Sequence, residues 1–84
     1  MKILIEIASD HYDGLLDKCS SRLPEYAVLK NGFVLRREVD GIERRMIAIL
    51  CDKTEAQKLL ITARGLHLPA ANDIARGLAP MPEI

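Results

Sequence analysis

The sequence predicts a small α+β domain of order β-α-β-β-β-α-α, and three observations carry that expectation. Two dipeptides, Asn31-Gly32 and Asp40-Gly41, punctuate a stretch of short apolar runs. A β-branched run, Lys2–Ala8 (KILIEIA), opens the chain. Apolar residues recur at helical spacing over 12–23 and again over 56–66.

In the opening run, Ile3, Ile5 and Ile7 alternate with Leu4, Glu6 and Ala8. Such a strand is apolar on one face and mostly apolar on the other, as in a well-covered sheet position. Ser9 and Asp10 suit a helix start, and Tyr12, Leu15, Leu16, Cys19 and Leu23 make one stripe. Pro24 disfavours helical geometry at the residue before it, so the helix is expected to end at Leu23.

Three strands are then expected: 26–30, 33–39 and 42–50. Asn-Gly and Asp-Gly tolerate the positive φ angles of tight two-residue hairpins, which makes 26–50 an antiparallel meander. The turns set the register: Val39 opposite Ile42, Leu35 opposite Met46, Phe33 opposite Ala48. One face then carries Phe33, Leu35, Met46, Ala48 and Leu50, together with Tyr26 and Val28. The other carries Leu29, Val34, Ile47 and Ile49. The first face is the expected seat for the helices. The N-terminal strand, crossing over helix one, is expected parallel to the second strand at an edge of a mixed four-stranded sheet.

Asp52 and Glu55 are spaced as a capping box, and Ala56, Leu59, Leu60 and Ala63 form the stripe of the helix behind them. Pro69 is placed to open a shorter helix packed through Ala70, Ala71, Ile74 and Leu78. Residues 1–79 form the expected single domain and 80–84, with two prolines, a tail.

The chain has 84 residues, room for one domain. Twelve Lys and Arg balance twelve Asp and Glu, which argues against a general polyanion binder. The longest apolar run, Met46–Cys51, is six residues against the roughly 20 of a membrane helix. Glu6 interrupts the stretch where a secretory signal would stay apolar. A cytoplasmic protein without a membrane partner is expected, with Cys19 and Cys51 reduced and buried.

No arrangement of residues points to catalysis, a metal or a cofactor. His11, Cys19, Cys51 and His67 are spaced 8, 32 and 16 apart, without the close ligand pairs of a structural zinc site. Cys51 and His67 lie at opposite ends of one helix, some 20 Å apart at about 1.5 Å per residue. Asp10, Asp13 and Asp17 read as a solvated helix face. No glycine-rich phosphate loop occurs.

Two surfaces remain. Arg36, Arg37, Arg44 and Arg45 face each other across the 36–45 hairpin, a possible nucleic-acid contact. Glu38, Asp40 and Glu43 share that hairpin and leave it at +1, and no aromatic platform accompanies it. Leu29, Val34, Ile47 and Ile49 form an apolar face that helices on the opposite side would leave bare. The expected function is a non-enzymatic protein-interaction module that self-associates through this face as a homodimer, or docks another protein. The alternative is a nucleic-acid-binding module using the arginine hairpin.

Overall fold

A computed structural model describes residues 1–79. It is an α+β fold with four helices and a three-stranded antiparallel sheet: β1 (Lys2–Ala8), α1 (Ser9–Lys18), α2 (Pro24–Lys30), β2 (Phe33–Val39), β3 (Ile42–Asp52), α3 (Lys53–Gly65) and α4 (Ala70–Leu78). Spatially the strands run β1-β3-β2, with the longest in the middle. The expected tail, 80–84, lies outside the described residues.

The Asp40-Gly41 hairpin forms as expected. Asp40 and Gly41 take φ of 54° and 77°, the left-handed values of a tight reversal. Val39 pairs with Ile42, Leu35 with Met46 and Phe33 with Ala48.

The expected strand 26–30 is instead helix α2, so the sheet has three strands rather than four. Pro24 occupies the first turn of α2, where its missing N–H costs nothing, instead of merely closing α1. Glu25 lies in the first turn and Lys30 in the last, both favourable to the helix dipole. Asn31-Gly32 ends this helix: the Asn31 and Gly32 amides donate to Val28 and Leu29 carbonyls at 3.2 and 3.1 Å. Gly32 is required by proximity, since a Cβ there would lie 2.6 Å from Ile47 Cγ2. Helix α1 stops at Lys18, and Cys19 is already extended (ψ 127°), so the predicted stripe does not run on to Leu23.

Strand β1 is also placed differently. It pairs antiparallel with β3, from Lys2 opposite Asp52 to Ala8 opposite Met46. β1 and β2 therefore point the same way but are separated by β3. β1 takes the side of β3 that the hairpin leaves free, and the absence of a strand at 26–30 leaves β2 at the sheet edge.

That pairing decides which face is covered. Ile3, Ile5 and Ile7 stand opposite Cys51, Ile49 and Ile47, concentrating β-branched side chains on one side. The helices pack there, and the core joins Ile5, Ile7, Ile47, Ile49 and Cys51 to Leu15, Leu29, Leu59 and Ile74. Each such aliphatic side chain contributes roughly 1.5–3 kcal/mol on burial. The helices thus choose the face opposite to the one expected. Within β2 and β3 alone the other face holds more apolar residues; it is β1, adding Ile3, Ile5 and Ile7 beside Cys51, Ile49 and Ile47, that shifts the balance to this side.

Asp52 caps α3 in a complete box. Its Oδ1 accepts from the Glu55 amide at 2.8 Å, and Glu55 Oε1 accepts from the Asp52 amide at 3.0 Å. At the other end, Leu68 and His67 amides donate to Ala63 and Arg64 carbonyls, a Schellman closure with His67 at φ 55°. Helix α4 lies against β1 so closely that a Cβ on Gly77 would meet Ile5 Cγ2 at 2.7 Å. No helix among the described residues is long and apolar enough to cross a membrane.

Candidate functional site

Three of the four expected interface residues lie in the core. Leu29 and Ile49 are fully buried and Ile47 nearly so, beneath the chain's own helices. Val34 alone stays half-exposed. In this fold they do not make a surface patch, because α2 supplies Leu29 from above and β1 recruits the helices to the Ile47–Ile49 side.

The bare face is the opposite one. Its first row is Leu4 beside Leu50, its second Glu6, Ala48 and Phe33, its third Ala8, Met46 and Leu35. Leu4, Phe33 and Leu50 are 44%, 50% and 57% exposed, while the small Ala48 among them is sealed. Ala48 belongs to none of the core packing, so its taller neighbours on this face shield it. A Glu6–Arg37 ion pair (Oε1 to Nε, 2.8 Å) crosses from β1 to β2 at the end of this apolar area.

The arginine hairpin carries less free charge than its sequence suggests. Arg36 lies opposite Arg45 and Glu38 opposite Glu43, and the diagonal Arg36–Glu43 pair closes at 3.0 Å. Arg37 is taken by Glu6. Among the described residues no carboxylate pairs with Arg44 or Arg45. Arg44 shares the bare face with Arg37, whereas Arg45 shares the helix-side face with Arg36.

A second feature was not singled out from the sequence. Asp73 is 5% exposed, on the inner side of α4 among Ala70, Ala71 and Ile74. Its Oδ2 accepts from the Ala8 amide at 2.9 Å and meets His11 Nδ1 at 2.7 Å. Its Oδ1 lies 3.3 Å from an Arg76 nitrogen. The residue preceding α1 is Ala8, which has no capping side chain, so Asp73 brings a carboxylate to that helix start from elsewhere in the chain. The legible signal was an acid on the apolar stripe of α4. Beside this cluster opens a cleft of about 370 Å³, walled by Arg37 and Arg44 from the ribbon, Arg76 from α4 and His11 from α1.

Both cysteines are free and buried, and burial is the main cause raising each thiol above its ordinary pKa. That disfavours a reactive thiolate. Among the described residues no three His, Cys, Asp or Glu side chains gather as a metal site. The chain matches no protein-family model, no curated protein and no solved structure.

Proposed function

We propose that this chain is a non-catalytic interaction module whose bare sheet face packs on the same face of a second copy. One observation carries the proposal: Leu4, Phe33 and Leu50 stand about half-exposed on a face with no helix over it. Contiguous apolar area of this kind is uncommon on a monomer and is stabilised by removal from water at about 25 cal/mol per Å².

A second copy suits the face on two grounds. Leu4 and Leu50 stand in one row and Phe33 in the next on a single face, so a two-fold axis can set the same side chains of the two copies against one another. The formal charge is zero, so identical chains carry no net repulsion. Two sheets stacked face to face make an ordinary sandwich spacing of about 10 Å. We place the module in a reducing, cytoplasmic setting, which suits two free cysteines.

Nucleic-acid binding by the hairpin is the second reading, favoured only by Arg44 and Arg45, which no carboxylate among the described residues pairs. Salt-dependent RNA or DNA binding, abolished by reversing all four arginines, would select it.

Sedimentation equilibrium from low micromolar to near-millimolar concentration tests the dimer. The expected mass rises from 9.4 kDa toward twice that value, and Phe33→Asp or Leu50→Asp holds it at the monomer. Both positions are exposed, so circular dichroism should stay unchanged in the variants. A wild-type monomer across the whole range refutes the proposal, as does a dimer indifferent to both substitutions.

A further inference from the structure

We propose that the cleft between the β2–β3 ribbon and helices α1 and α4 binds the phosphate group of a small phosphate ester. The cleft is lined by two carboxylates, Glu6 and Asp73, three guanidinium groups, Arg37, Arg44 and Arg76, and the His11 ring. Both carboxylates are committed. Glu6 Oε1 accepts from Arg37 Nε, and Asp73 takes the Ala8 amide, His11 and Arg76.

The donors are in surplus. A guanidinium carries five N–H groups and no acceptor. Among the described residues Arg44 has no carboxylate partner, and Arg37 is held through Nε, which leaves its two terminal nitrogens. An oxyanion is the chemistry that answers unspent donors. A tetrahedral phosphate, with several oxygens at different angles, engages more than one guanidinium at once, whereas a carboxylate fills a single fork. The volume of about 370 Å³ exceeds what a phosphate alone fills and falls in the small-molecule range. No aromatic ring lines the cleft, so nothing there stacks on a nucleobase. The lining comes from one copy of the chain, but Glu6, Arg37, Arg44 and Met46 lie on the sheet face the dimer would use, so the titration that tests the site is repeated on the monomeric Leu50→Asp variant, whose substitution lies outside the cleft.

The test is an NMR titration of the isotope-labelled protein with inorganic phosphate at constant ionic strength, with acetate as a parallel arm. Phosphate is expected to give saturable shifts at amides of Ala8–Tyr12 and Arg37–Arg44, and acetate none. Arg44→Gln is expected to weaken phosphate about tenfold, the loss of one charge-assisted contact. Arg45→Gln removes the same charge from the other face of the same ribbon and is expected to change the affinity less than twofold. Shifts that never saturate, acetate binding as well as phosphate, or equal losses in the two variants would each overturn the proposal. Arg44 and Arg45 are exposed, so both variants keep the fold.

Discussion

Asp73 Oδ2 and His11 Nδ1 lie 2.7 Å apart although 62 positions separate them in the chain. The same oxygen accepts from the Ala8 amide, so one buried carboxylate ties α4 to the junction of β1 and α1. Asp73→Ala leaves that amide and the His11 ring without their partner. A buried group stripped of its partner costs about 1–3 kcal/mol. The expected loss is about 2–3 kcal/mol, or a fall in Tm of about 10 °C or more for a domain of this size. Arg76→Ala removes only a solvent-facing ion partner and should cost under about 1 kcal/mol. Thermal unfolding of the two variants separates the contributions.

Two helical glycines should respond to alanine in opposite directions. Gly14 has open space where a Cβ would go, so Gly14→Ala is expected to stabilise α1 by about 0.5–1 kcal/mol through helix propensity. At Gly77 the new Cβ would meet Ile5 Cγ2 at 2.7 Å and Ile5 Cα at 3.4 Å. Overpacking against β1 outweighs propensity there, and Gly77→Ala should cost about 1–3 kcal/mol. Urea denaturation of the pair measures both signs.

Asp52 sets an acid dependence. The Glu55 amide donates to its charged form and is the main cause holding its pKa below the ordinary 3.8. A depressed carboxyl stabilises the fold fully above its unfolded value, and that stabilisation is lost as pH falls through the lower folded value. Asp52→Asn keeps a neutral cap without the charge. The wild type should therefore exceed Asp52→Asn in stability near neutral pH, and the difference should vanish in strong acid. Denaturation series at the two pH values read it directly.

Where a residue pair had one structural meaning, the sequence was readable. Asp40-Gly41 needed two left-handed residues between alternating strands, and the whole β2–β3 register followed from it. Asp52 and Glu55 marked the start of α3 in the same way. Asn31-Gly32 had two meanings, hairpin turn or helix end. In the fold it ends α2, and Gly32 lies close enough to β3 that a Cβ there would meet Ile47 Cγ2. Taking it as a hairpin turns α2 into a strand, and placing β1 beside the wrong strand hides that Ile3, Ile5 and Ile7 join Ile47 and Ile49 on the face the helices cover. Leu29, Ile47 and Ile49 were thereby expected at the surface, while the exposed Phe33 and Leu50 were assigned to the core side. Asp73 was overlooked because its partners, Ala8 and His11, come from the opposite end of the chain.

Face-to-face association of the bare sheet surfaces brings named side chains of two copies within a few ångströms of each other. Isotope-filtered NOE spectroscopy on a mixed sample, half the chains labelled and half unlabelled, tests it at the level of atoms. Intermolecular contacts are expected between the Phe33 ring of one copy and the Leu50 and Leu4 methyl groups of the other. Intermolecular contacts confined to other surfaces, or none at concentrations near one millimolar, would contradict it.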